Sequence, residues 1–203
     1  MTYYMLNKPS GCVSARIDRE HPTVMELFPE EERKTLFPLG RLDKNTEGLL
    51  LVTDDGKLNR RLLDPECHVE KKYHLWATGV PTVEMEAAFA RGLWLKGIPQ
   101  PTRPARFEVL KTGQLQDIAP ILFPSRRGLL EDDPEMPVFS AYLWLTEGKR
   151  HQVKRMLEAV GSCVVALRRV GFGPLTLDET LRPGQYRTLR EEEVRLLREA
   201  AGL

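Results

Sequence analysis

Four apolar residues in a row, Leu49–Val52, stand between a reversal at Lys44-Asn45-Thr46-Glu47-Gly48 and a second turn at Asp54-Asp55-Gly56. An uninterrupted apolar run of strand length, without polar alternation, reads as a strand buried on both faces. Such a strand needs neighbours beside it and layers above and below it, so the fold must contain a sheet with a covered interior. The turn ahead of the run carries a lone acid, Asp43, two residues after Arg41. A chain of 203 residues, 41% of them hydrophobic, can bury one good core or two small ones that share a boundary.

The neighbouring elements follow from local patterns. Residues 2–6, TYYML, read as a strand that ends in the turn residues Asn7-Lys8-Pro9-Ser10-Gly11. Residues 22–37 have helical spacing, broken at Pro29. KLNRRLL after Gly56 predicts a short helix, residues 69–78 the next strand, and Thr82 to Arg91 a helix closed by Gly92. Residues 106–112 and 138–146 read as paired strands. The stretch 113–137 between them, with four prolines and an acidic cluster at Glu131, Asp132 and Asp133, reads as a long hairpin insertion. Residues 150–160 form the most legible helix, with Val153, Met156, Leu157 and Val160 on one face and the i,i+4 pairs Arg150/Lys154 and His151/Arg155 beside it; Gly161 stops it. Residues 163–173 read as a strand, and Thr188–Glu191 as a capping box that opens a last amphipathic helix closed by Gly202. Strands outnumber long helices and mostly follow one another, which predicts a single domain over 1–203 of the α+β class, built on a central, largely antiparallel sheet flanked by helices.

Composition excludes several classes. No segment approaches the roughly 18 apolar residues that cross a bilayer, and the N-terminal stretch lacks the plan of a signal peptide, so a soluble, cytoplasmic protein is expected. Cys12, Cys67 and Cys163 are odd in number and widely spaced, and His21, His68, His74 and His151 show no metal-binding spacing; neither a disulfide framework nor a metal is expected. The formal charge of +1 hides a patch: between Glu147 and Arg169, six Lys/Arg face two acids.

A carboxylate at the mouth of a buried strand loses water contact and needs a cation to stay ionised. Arg41 is one candidate, and an ordinary ion pair at a turn is the plain account. A shielded acid, a stripe of cations, an interleaved Tyr73 and a Lys8-Pro9-Ser10-Gly11 loop are together the parts of a site that grips a polyanion and attacks one sugar or base within it. In this combination the sequence resembles the RsuA/RluE group of bacterial pseudouridine synthases. GRLDKNTEGLLLVTDDG is similar to the group's catalytic motif, LNKPSG to its opening motif, EKKY to the motif of its tyrosine, and EGKRHQVKRMLEAVG to its basic motif, all in the group's order.

The resemblance implies the pseudouridine synthase fold, with a mixed sheet and two sub-lobes that meet at an active-site cleft. It also implies isomerisation of a uridine within RNA, without a cofactor. Asp43 would be the nucleophile, Tyr73 the ring against the flipped base, Lys154 the cation paired with Asp43, Arg41 a hold on the flipped nucleotide, and Leu167 an apolar wall of the base pocket. Lys8, Lys71, Arg150, His151, Gln152, Arg155, Arg168 and Arg169 would bind RNA. Extruding a base costs a few kcal/mol, of which stacking on Tyr73 could return roughly 1–3 kcal/mol. Many members of the group begin with a small RNA-binding domain, whereas here the catalytic motifs start almost at Met1. The 113–137 stretch and GVPTVEMEAAFARGL favour ribosomal RNA of the large subunit, whereas HPTVMEL and LRPGQYRTL resemble the small-subunit type; a monomer is expected. Two other classes stay open: a non-catalytic RNA-binding or ribosome-assembly factor on the same fold, and a nucleoside or NAD glycohydrolase.

Overall fold

The computed structural model describes residues 1–203. In chain order the elements are β1 (Tyr3–Lys8), α1 (Glu30–Arg33), β2 (Phe37–Leu39), β3 (Glu47–Thr53), α2 (Gly56–Leu63), β4 (Lys71–Thr78), α3 (Val83–Arg91) and β5 (Arg106–Gln114). They continue with α4 (Arg127–Asp132), β6 (Pro137–Leu145), α5 (Gln152–Ala159), β7 (Val164–Phe172), β8 (Leu175–Thr176), β9 (Tyr186–Thr188) and α6 (Glu191–Ala200). The class is α+β with a mixed sheet, as expected. The chain forms two compact units, Met1–Lys71 with Arg168–Leu203, and Lys72–Leu167.

The first unit is built around β3, whose residues Leu49 to Val52 are all buried. β1 and β2 pair with it antiparallel, Met5 opposite Leu51 and Leu39 opposite the same residue, and β9 extends β1 on its far side. Leu49 and Leu51 point into a cluster with Met5, Leu39, Leu58, Leu62, Phe172 and Leu197, whereas the alternate residues Leu50 and Val52 are equally excluded from water. Both faces are covered because both are apolar, each buried leucine contributing about 1.5–3 kcal/mol. The end of β7 lies parallel to the start of β3, Gly48 opposite Arg169. Gly48 has a φ of +102°, and a Cβ there would lie 2.2 Å from the Arg169 carbonyl oxygen, so this register requires glycine.

Asp55 stops β3 and starts α2. Its Oδ1 accepts the amides of Lys57 and Leu58 at 3.1 and 2.9 Å, an N-cap, and its Oδ2 accepts the Tyr3 hydroxyl at 2.8 Å and Arg198 Nη1 at 3.0 Å. Burial acts to raise the Asp55 carboxyl, but the Leu58 amide, the Tyr3 hydroxyl and Arg198 hold it below its ordinary value.

The second unit carries the strand order β5-β6-β4-β7. β5 and β6 form the expected antiparallel pair, Phe107 opposite Leu143, with a bulge between Val109 and Lys111. Leu75, Phe89, Phe107, Phe139, Leu143, Met156 and Leu157 make its main core. Thr82 caps α3, its hydroxyl accepting the Met85 amide at 3.4 Å, and Gly92 ends that helix at φ +86°.

Three local expectations gain detail. Residues 22–37 make a 3-10 turn at Val24–Leu27 and, beyond the break at Pro29, the single turn α1, shorter pieces than the spacing suggested; Val24, Met25, Phe28 and Leu36 supply the buried positions. The stretch 113–137 joins the paired strands β5 and β6 as a long hairpin connection, and it is packed rather than extended into solvent. It folds into 3-10 turns at Leu115–Ile121 and Pro124–Arg126 and into α4, and Leu115, Ile118 and Leu122 pack on Trp76, Val138, Val165 and Ala166. The cap of α6 lies two residues later than the pattern suggested, because Thr188 is taken up in β9. Glu193 accepts the Arg190 amide at 2.8 Å and also binds Arg187 and Arg190. No helix is long and apolar enough to cross a membrane.

Candidate active site

In the first unit, Asp43 occupies the loop between β2 and β3 and is half-buried. The loop is held from three directions. The Thr46 amide donates to the Asp43 carbonyl at 3.1 Å, closing a turn. The Leu42 amide donates to Ser14 Oγ at 3.0 Å, and that hydroxyl returns a bond to the Leu42 carbonyl at 3.1 Å. Lys8 supplies the third: its side chain is fully buried, and Nζ donates to the carbonyls of Pro9, Lys44 and Thr46 at 2.9, 3.0 and 2.9 Å. An ammonium in a dry interior is tolerated only where several oxygens replace its water. The Gly11 amide also donates to the Lys44 carbonyl at 2.9 Å. The LNKPSG turn is thus the clamp of the Asp43 turn.

Several first-unit assignments must be reread on this geometry. Lys8, expected to bind RNA, is spent inside the protein. Arg169, expected likewise, is 2% exposed; its Nε donates to the Leu49 carbonyl at 2.8 Å and its guanidinium lies 5.1 Å from the Phe172 ring. It locks the β3–β7 contact. Arg41 is exposed, two residues before the half-buried Asp43. Lys71 and Arg168 are half-buried, Lys71 Nζ lying 5.9 Å from the Phe172 ring and Arg168 standing opposite Glu47 in the β3–β7 backbone register.

In the second unit, Tyr73 stands on β4, half-buried against the main core, and Leu167, 6% exposed, belongs to that core. Val153, Met156 and Leu157 anchor α5 in the same core, as its spacing predicted. Lys154, on the half-buried side of α5, places its Nζ 5.0 Å from the ring of Phe123 in the 113–137 stretch. The Phe123 amide in turn donates to the Val165 carbonyl at 2.8 Å. The stretch therefore supplies a cation–π support for Lys154.

The turn leading into α5 is organised by an acid that residue patterns did not single out. Glu147 Oε1 accepts the Arg103 amide at 2.9 Å and Gln152 Nε2 at 2.6 Å, while Oε2 pairs with Lys149. Burial pushes the Glu147 carboxyl up, but these donors outweigh it and hold it below its ordinary value. Gln152, expected to bind RNA, is buried in this turn, its Oε1 accepting the Lys149 amide at 2.8 Å. Arg150 and His151 are exposed before the helix, His151 at φ +53°, and Arg155 bonds the Lys96 carbonyl. The Ser14–Leu42 and Glu147–Arg103 contacts were missed because they join positions 28 and 44 residues apart and no spacing encodes such contacts.

The same segments carry the likeness to known proteins. A sequence model of the RNA pseudouridylate synthase family matches residues 2–159. The chain is 41% identical over 198 residues to a Bacillus subtilis protein named uncharacterized RNA pseudouridine synthase YtzG, covering 97% of this chain and 73% of that one. It is 37% identical over 195 residues to the ribosomal small subunit pseudouridine synthase A of Haemophilus influenzae, with coverages of 96% and 73%. Among solved structures, one described as the crystal structure of pseudouridylate synthase superposes with a TM-score of 0.80 at 36% identity, covering 97% of this chain and 73% of that one. The likeness runs through the clamped Asp43 turn, through β4 and through α5 alike, and the chain therefore belongs to the RNA pseudouridylate synthase family and is an RNA pseudouridine synthase.

Proposed function

We propose that the enzyme converts one uridine of ribosomal RNA to pseudouridine, with Asp43 as the nucleophile. The observation that carries this reading is the clamp: a buried lysine, a serine and a glycine turn all act to fix one short loop, and the side chain that loop presents is a carboxylate. A positioned nucleophile gains rate because orientation is settled before the reaction.

In the proposed reaction the uracil N1–C1′ bond breaks and C5 bonds to C1′. C5 loses its proton and N1 gains one, so atoms and charge balance without a cofactor. Tyr73 and Leu167 face the everted base, Lys154 is the cation that serves Asp43, and the exposed Arg41, with Arg150 and His151, holds the RNA. A retaining glycoside hydrolase would need a second carboxyl about 5–5.5 Å from the first, and water at such a centre would strand an abasic sugar.

The substrate subunit is inferred from the relatives. The Haemophilus influenzae relative is named for the small ribosomal subunit, and an Escherichia coli relative of the same name is 38% identical over 192 residues. The large-subunit preference suggested by the insertion has no support among them, so small-subunit RNA is the favoured substrate. A carbodiimide-dependent primer-extension map of ribosomal RNA, in cells with and without the gene, tests the reading. One stop in small-subunit RNA that disappears with the gene is expected; identical maps would overturn it.

A further inference from the structure

Alternate residues of β4 and β6 point to opposite faces of the second unit's sheet. Tyr73, Leu75 and Ala77 lie on one face with Phe139, Ala141 and Leu143, in or against the main core. The other face carries Lys72, His74 and Trp76 on β4 and Tyr142 and Trp144 on β6, with Arg106 of β5 opposite Trp144 in register. Cations and rings form a continuous ladder there. The Arg106 guanidinium lies 4.1 Å from the centre of the Trp144 ring, and Lys72 Nζ lies 5.0 Å from Trp144 and 3.7 Å from Tyr142. The His74 ring lies 5.5 Å from Tyr142 and 6.5 Å from Trp76, and Lys111 Nζ 5.3 Å from Trp76. Residues Leu115, Ile118 and Leu122 cover the Trp76 end. Beyond it Lys72, His74, Tyr142 and Trp144 are half-buried, and Arg106 and Lys111 are exposed. Glu108, 2.7 Å from Arg106, is the acid of this row.

We infer that this face is a second RNA-binding surface, a platform for a single strand on the side of the sheet away from Tyr73. The chain as a whole is almost neutral, yet here lysines and arginine alternate with rings at strand spacing. Single-stranded nucleic acid is gripped by that pairing: rings stack on bases and cations track the phosphates. An acidic peptide would use the cations and leave the rings idle. An apolar partner would use the rings and bury the cations without counter-charge. The strand bound here is RNA remote from the target uridine. The inference takes RNA as the ligand and is independent of the roles proposed for Asp43, Tyr73 and Lys154.

The test uses the full chain and a fluorescein-labelled oligoadenylate of about twelve nucleotides, within the usual footprint of such sites and free of uridine. Lys72→Ala/Arg106→Ala/Lys111→Ala is expected to weaken binding at least tenfold and to flatten the log–log salt dependence by about 2, at about 0.7 per lost phosphate contact. Tyr142→Leu/Trp144→Leu should weaken binding with the slope unchanged, since stacking releases no counterions. Tritium release from a short uridine-containing RNA should stay at the wild-type rate in the charge variant, which separates this surface from the reacting centre. Wild-type affinity in the charge variant, at an unchanged thermal midpoint, would overturn the inference. So would absence of binding by the wild type, equal competition by polyglutamate, or a concentration-dependent dimer that the charge variant abolishes.

Discussion

Lys8→Met keeps an unbranched apolar stem and deletes the ammonium that clamps the Asp43 turn. Three carbonyls lose a donor. The Lys44 carbonyl keeps the Gly11 amide at 2.9 Å, the Pro9 carbonyl keeps the weak thiol of Cys12 at 3.6 Å, and the Thr46 carbonyl has no such substitute. Hydrogen bonds from a charged donor are worth about 1.5–3 kcal/mol net, so the two poorly replaced bonds together put the loss at about 3–6 kcal/mol. Relief from burying an ammonium moves the figure toward the lower end. At about 2–4 °C per kcal/mol for a chain of this size, the melting midpoint should fall by roughly 6–24 °C. Urea unfolding reads the stability, and filter binding of RNA at several salt concentrations reads the charge contacts. The expected pair of results is a lower unfolding midpoint with an unchanged salt slope, together with a lower turnover rate as the Asp43 loop loosens. Wild-type stability with a slope reduced by about 0.7–0.9 would refute the reasoning, because Lys8 would then be a phosphate contact.

Other consequences follow from particular contacts. Gly48→Ala would set a Cβ 2.2 Å from the Arg169 carbonyl at φ +102°; beyond about 1–2 kcal/mol of left-handed strain, the β3–β7 contact must open, and an unchanged melting midpoint would contradict this. Leu115→Ala, at a position with no exposure in the 113–137 stretch, should cost about 2–5 kcal/mol in urea unfolding; a loss near zero would mean the stretch is not packed. The Arg187 guanidinium holds Glu193, against the effect of burial and with help from Arg190, at about 2, below its ordinary 4.5. A depressed carboxyl stabilises the fold above its unfolded value and loses that contribution as pH falls through the folded one. Glu193→Gln should therefore be less stable than wild type at pH 7, with the gap closing between about pH 4.5 and 2; a constant gap in urea midpoints across that range would contradict it.

Much of this was readable from residues near one another in the chain. The apolar run Leu49–Val52, the extent of α3, the apolar face of α5 and the β5–β6 pair all follow from periodicity and bounding turns. What the sequence hid were contacts between distant positions. Lys8 reads as a phosphate-seeking cation until the fold brings the Lys44 and Thr46 carbonyls to it. Arg169 reads as part of a basic patch until the parallel register with Gly48 buries it. The helical spacing of 22–37 yields only two short helical turns, Val24–Leu27 and Glu30–Arg33, because Pro29 separates them. The face of Lys72, Tyr142 and Trp144 was invisible because pairing between strands 70 residues apart has no local signature.

The role of Asp43 is tested most directly by tritium release from uridine labelled at carbon 5 in RNA, measured for wild type and Asp43→Asn, with RNA affinity and melting midpoint recorded for both. Turnover by the wild type, none by a folded variant that still binds RNA, is the predicted result. Equal release from the two proteins would contradict a nucleophilic aspartate at this turn.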